Sequence, residues 1–127
     1  MYFEHEPSHV NPKVLGWHWL VDFFHCSKLP IDPLILESIL IEAAELAGAT
    51  VVQTCVHQFS PHGLSGVVVI AESHLAAHTW PEHQVLCLDL FSCSDKINAQ
   101  VAIDCIAEKI RAGKVEQRNL TRGNLIN

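Results

Sequence analysis

The sequence predicts an α+β fold: one antiparallel-rich sheet with two helices on one of its faces. Three observations carry this. Residues 34–47 and 95–112 place apolar side chains at helical spacing. Around them lie short runs rich in Val, Thr and aromatics, with partial alternation. Proline, glycine and a Ser-Pro-His-Gly turn signal separate those runs. The implied order is strand, helix, strand, strand, strand, helix, strand, with the sheet's second face left for a partner.

The elements follow in chain order. Residues 1–13 hold two prolines and little periodicity, and read as a loose leader. Residues 16–24, GWHWLVDFF, read as an aromatic-rich strand. Asp32 before Pro33 fits an N-cap with proline at the first helical position. In the helix that follows, Ile35, Ile39, Ala43 and Leu46 form the expected inner stripe, and Gly48 is the stop. Residues 50–59 read as a strand, and Ser60-Pro61-His62-Gly63 as a turn. Residues 65–72 contain a Val-Val-Val-Ile run and read as a buried strand; residues 85–91 alternate as another. The second helix carries an inner stripe of Val101, Ala102, Cys105, Ile106 and Ile110 and ends at Gly113. Residues 114–120 read as an edge strand.

Composition narrows the function. The 127 residues suit one domain, and the 49% hydrophobic content supplies a core. Eight Lys and Arg against 14 Asp and Glu give a net charge of -6, which argues against nucleic acid and against an anionic membrane surface. The first residues do not read as a signal peptide, and the apolar run at 67–71 is too short to span a bilayer. The five cysteines form no Cys-x-x-Cys, so reduced thiols in a cytoplasmic protein are expected.

Chemistry concentrates in residues 59–93, which hold Ser65, Glu72, Ser73, His74, His78, His83, Asp89 and Cys93. One reading is a metal site at His74-x-x-x-His78 or His83-x-x-x-Cys87. On a strand, however, His74 and His78 stand roughly 13 Å apart, too far to share an ion. A second is Ser-His-Asp hydrolysis, but neither Ser65 nor Ser73 sits in a Gly-x-Ser-x-Gly elbow. A third is self-cleavage at a serine. The hydroxyl attacks the preceding carbonyl, the amide becomes an ester, and loss of the Cα proton eliminates the upstream carboxylate. Dehydroalanine remains and hydrolyses to a pyruvoyl group and ammonia. Such chemistry needs a base and an oxyanion donor beside the serine. Taken singly, the serines read as turn or strand hydroxyls, His78 as a core histidine, Cys93 as a small buried hydrophobe, and Phe59 as a core aromatic.

Their ordered spacing favours the third reading. The run from Phe59 through Ser65, Glu72, Ser73, His74 and Leu75, followed by His78-Thr79-Trp80-Pro81-Glu82, resembles the processing segment of prokaryotic S-adenosylmethionine decarboxylases. Phe91-Ser92-Cys93 is similar to the family's Phe-Thr-Cys, and Gly16-x-His18-x-x-x-Asp22-x-x-x-Cys26 to its opening strand. The resemblance implies cleavage into a β chain, residues 1–72, ending at Glu72, and an α chain, residues 73–127, whose Ser73 becomes the pyruvoyl cofactor. Ser65 and His78 would assist processing, with His78 the base of the elimination. Cys93 would reprotonate the substrate, Phe59 would stack on adenine, and Glu82 would bind the ribose hydroxyls. The substrate amine would form a Schiff base with the pyruvoyl carbonyl, which takes up the electrons as carbon dioxide leaves. With S-adenosylmethionine the product is the aminopropyl donor of spermidine synthesis. No metal is needed, and a homodimer of processed units is expected.

The chain departs from the family pattern at Ala76-Ala77 and from His83 to Cys87. These changes keep a second reading in view, a decarboxylase of ornithine or arginine that yields putrescine or agmatine. A non-catalytic regulatory homologue would have lost Ser73, His78 or Cys93, and all three are present.

Overall fold

The computed structural model describes residues 13–125. The expected loose leader lies outside them, except for Lys13, which bridges to Leu125. The described chain runs β1 (Gly16–Phe24), α1 (Pro33–Leu46), β2 (Val51–Gln58), β3 (Leu64–Ile70), β4 (Ser73–Trp80), β5 (Val85–Ser92), α2 (Ala99–Ile110) and β6 (Lys114–Arg122), with a 3-10 turn at Pro81–His83. All six strands join one antiparallel sheet in the order β2-β3-β4-β5-β1-β6. The α+β class and its two-helix layer are as expected. The sheet holds one strand more than the expected order, because β4 continues the hairpin from β3. Its Ala76 and Ala77 lack the β-branched bulk that signals a strand, yet Ala77 is fully buried against the helices. Among the described residues no helix is long and apolar enough to cross a membrane.

Local chemistry sets the helix ends. Asp32 Oδ1 accepts from Leu34 N–H at 2.9 Å, with Pro33 opening α1. Gly48 follows the last turn at φ 92°, a left-handed conformation that a side chain would resist. The second helix starts at Ala99 rather than at 95. Ser92 and Ser94 tie up the intervening backbone: Ser92 Oγ accepts from Ser94 N–H at 3.0 Å, and Ser94 Oγ accepts from Lys96 N–H at 3.1 Å. Asn98 then caps α2 by accepting from Val101 N–H. It stops at Arg111, in the left-handed region, two residues before the expected Gly113.

The core lies between the helices and one sheet face. Leu36, Leu40, Ala43 and Ala44 of α1 and Ala102, Ile103, Ile106 and Ile110 of α2 meet Val21, Phe23, Val68, Leu75, Leu86 and Leu90. The α1 stripe is rotated from the expected one: Ile39 and Ala43 are buried, but Ile35 and Leu46 are exposed. That helix is apolar nearly all round, so spacing alone leaves two faces open to choice. On α2, Val101 is likewise exposed, and Ala99 and Ile103 take inner places. Gly66 lets α1 approach β3; a Cβ there would lie 3.1 Å and 3.2 Å from Leu40 and Leu36 methyl carbons.

Among the described residues, no helix covers the opposite sheet face. Strand alternation turns Val67 and Val69 of β3, His74, Ala76 and His78 of β4, Cys87 and Asp89 of β5, and His18 and Asp22 of β1 towards it. Val67 and Val69 are 37% and 41% exposed, which is high for valines in central sheet positions. Leu88, by contrast, points to the helices and is buried.

Candidate functional site

The expected site residues gather in two clusters at opposite ends of β4. The first lies at its C-terminal end. Ser65 and His78 are cross-strand partners, and Ser65 Oγ lies 2.7 Å from His78 Nδ1. With Phe59, His62, Trp80 and Glu82 they line a cavity of about 330 Å³. The β2–β3 loop is held over it by two bonds: Phe59 N–H to Gly63 O at 2.8 Å, and Leu64 N–H to the buried Thr79 hydroxyl at 2.9 Å. Phe59 packs edge-on against His57, with ring centroids 4.6 Å apart, and leaves much of its ring exposed. Trp80 stands 6.2 Å from the His78 ring. Glu82 Oε1 lies 3.3 Å from His62 Nε2. Its own backbone N–H holds the Glu82 carboxyl below the usual range, helped by His62 and His83, so it stays ionised and acceptor-only.

The second cluster surrounds the Glu72–Ser73 peptide. Ala71 N–H reaches Thr50 O at 2.8 Å, and the Glu72 carboxylate accepts from Thr50 N–H at 3.1 Å, so the turn is tied to β2. Two donors of one residue converge on the Glu72 carbonyl oxygen: Cys93 N–H at 2.9 Å and the Cys93 thiol at 3.1 Å. Ser73 has φ 151°, outside the extended range of the rest of the strand. Its Oγ lies 3.3 Å from His74 Nδ1. A wall of rings follows: His74 and His18 flank Phe91, at 5.9 Å and 5.4 Å between centroids. Arg122 lies over Phe91 and donates to His18 Nδ1 at 3.0 Å. Among the described residues, His18 Nε2 is buried without a hydrogen bond, with Asp89 Oδ1 3.5 Å away. Burial, and then the neighbouring His18, push the His74 imidazole below 6.5, against a smaller opposing pull from Asp89.

The structure thus groups Ser73 with Glu72 and Cys93 at one end of β4, and Phe59, Ser65, His78 and Glu82 at the other. His78 stands five residue steps along β4 from Ser73, about 16 Å of strand. His62, Trp80, His18 and Arg122 were given no site role from sequence, and His74 was weighed only as a metal ligand. His62 is hidden in a Pro-His-Gly turn that reads only as a loop. Only the pairing of β4 with β5 brings His74 to Phe91, and only that of β1 with β6 brings Arg122 to His18.

A family model described as S-adenosylmethionine decarboxylase matches residues 17–123. The chain belongs to the S-adenosylmethionine decarboxylase family. Among its relatives, an S-adenosylmethionine decarboxylase proenzyme of Moorella thermoacetica is 42% identical over 112 residues, covering 87% of this chain and 90% of that one. The proenzyme of Syntrophomonas wolfei is 43% identical over 110 residues, 86% and 87% of the two chains. The crystal structure of the adenosylmethionine decarboxylase of Aquifex aeolicus superposes with a TM-score of 0.79 at 32% identity, covering 89% of this chain and 94% of the other. Both clusters lie within the matched span, so S-adenosylmethionine decarboxylase family membership extends to the Glu72–Ser73 peptide and to the Phe59–Glu82 pocket.

Proposed function

We propose that this chain is a self-processing, pyruvoyl-dependent decarboxylase of S-adenosylmethionine, cut between Glu72 and Ser73 and completed by a second copy of itself. The carrying observation is the Glu72–Ser73 peptide. A serine at φ 151° follows a carbonyl that accepts two Cys93 donors. The first feature strains the backbone beside the scissile bond, and the second stabilises the charge that grows on the amide oxygen during attack. These residues fit the formation of a pyruvoyl group at position 73. Once formed, that group supplies the electron sink for loss of carbon dioxide.

The chain's own residues do the rest. Cys93, at the same end of the sheet, holds the proton returned to the substrate carbon. Phe59 offers a face to adenine, and the ionised Glu82 accepts the two ribose hydroxyls. Its product is the aminopropyl donor for spermidine. The ornithine and arginine alternative is not favoured: an aromatic-lined pocket whose one carboxylate is already beside His62 suits a nucleoside better than a small diamino acid.

Ser65 and His78 are about 16 Å along the strand from Ser73. His78 therefore takes the Ser73 Cα proton of a partner. A two-fold pairing of helix-free sheet faces sets the Trp80 end of one β4 against the Ser73 end of the other and removes Val67 and Val69 from water. Cys26, Cys55, Cys87 and Cys105 are free thiols, in keeping with a cytoplasmic enzyme.

Denaturing mass spectrometry tests the cleavage. The wild-type chain should yield fragments 1–72 and 73–127, the second blocked by a pyruvoyl group, whereas Ser73→Ala should stay at 14.1 kDa. Carbon dioxide release should follow S-adenosylmethionine and neither ornithine nor arginine. An intact, fully active wild-type chain overturns the cofactor assignment, and turnover of ornithine or arginine alone overturns the substrate.

A further inference from the structure

We propose that His74 is the base that takes the hydroxyl proton of Ser73 in the first, amide-to-ester step of processing, within one chain and before any partner residue is needed. The inference rests on the self-cleavage reading and assigns a residue to a step which that reading leaves without one.

Among the described residues, the only side chain hydrogen-bonded to Ser73 Oγ is His74, with Nδ1 at 3.3 Å. The Ser65–His78 pair lies at the far end of β4. Adjacent residues of a regular strand point to opposite faces, so neighbours do not normally meet. The φ of 151° at Ser73 breaks that alternation and lets its hydroxyl reach the next ring. With the proton on Nε2, Nδ1 is an acceptor. The surroundings favour this neutral form. Burial disfavours a charged ring, and His18 of β1, which faces His74, works in the same direction; from β5, Asp89 pulls weakly the other way. Phe91 covers the ring, and Arg122 of β6 lies beyond Phe91. The cross-strand neighbour from β3 is the apolar Val69.

The step balances within the chain. Ser73 Oγ forms a bond to the Glu72 carbonyl carbon as its proton passes to His74 Nδ1. The Cys93 N–H and thiol hold the oxyanion. Collapse breaks the Glu72–Ser73 C–N bond, and the departing nitrogen takes the proton back from His74. An amide has become an ester, with no atom gained or lost. Elimination by His78 of the partner is a separate event.

The test follows ester formation in freshly translated protein. In a His78→Ala background the ester should accumulate, and hydroxylamine should split it at 72/73. Adding His74→Gln should slow the appearance of hydroxylamine-cleavable chain about 10²- to 10⁴-fold, the usual worth of general-base catalysis. With His74 present, the rate should also fall as pH drops below the ordinary imidazole range, and His74→Gln should abolish that limb. Ester formation at an unchanged rate in the double variant, or a flat profile with His74 present, overturns the role of His74 alone. A wild-type chain that never splits, with no hydroxylamine-sensitive form in His78→Ala, overturns the self-cleavage reading and this inference with it. The profile measured with His74 in place keeps the test decisive even where His74→Gln folds poorly.

Discussion

Replacing Ser73 by glycine and by alanine should separate backbone strain from side-chain chemistry. Both variants lose the hydroxyl and its bond to His74, so that loss cancels between them. They differ in what φ 151° costs. Such a conformation costs a non-glycine residue about 1–3 kcal/mol, and glycine almost nothing. Glycine gives back about 0.4–1 kcal/mol through the greater freedom of its unfolded chain. The glycine variant should therefore be the more stable by about 0.5–2 kcal/mol. For a chain of this length that is a rise of about 2–8 °C in Tm. Neither variant can be processed, so each unfolds as one uncut polypeptide, and thermal scans at matched protein concentration compare them fairly. If Ser73→Ala proves as stable as Ser73→Gly, the backbone at 73 is not strained, and strain does not promote cleavage there.

Three further outcomes are expected. Ser73→Ala and His78→Ala should each fail to mature alone, but co-expressed they should give mixed dimers in which the His78→Ala chain is cleaved, because its partner supplies His78; two-chain mass spectra read this out. Phe59→Ala should lower kcat/KM for S-adenosylmethionine by about 1–3 kcal/mol, roughly 5- to 150-fold, while leaving cleavage at 72/73 intact. Burial, the hydrogen bond to Asp22 and the charges of Asp22 and Asp89 push the Cys87 thiol up to about 12 from 9.0, so at pH 9 iodoacetamide should label it far more slowly in the folded protein than in denatured chain. Its contribution to stability is complete below pH 9 and should be lost as pH rises towards 12, because only the unfolded chain gives up that proton in between.

Much of the fold was legible in the sequence because its signals are local. Asp32-Pro33 announces a helix start through groups two residues apart, and the Val-rich run of β3 needs no tertiary context to read as a strand. β4 was harder. His74, Ala76 and His78 become strand residues by pairing with both β3 and β5, and nothing in their own propensity requires it. The facing of α1 was ambiguous because Leu34, Ile35, Leu36, Ile39 and Leu40 offer more apolar positions than one stripe can bury. Within the site, motif order pointed to Ser73, Cys93, Ser65, His78, Phe59 and Glu82, but sequence order does not give distance. A hairpin sends residues on opposite ends of one strand far apart, and brings Cys93, twenty-one residues after Glu72, onto its carbonyl.

The separation of the two clusters also bears on kinetic order. A step whose groups all lie at the Ser73 end proceeds at a rate independent of dilution, as an intramolecular event must. A step that needs His78 from another chain is second order until the chains have met. A newly made chain would therefore advance to an ester by itself and wait there, reversibly, since nothing has yet been lost from it. On the proposed pairing, only encounter with a second folded copy would commit it, and no reactive carbonyl would form on a solitary or misfolded chain.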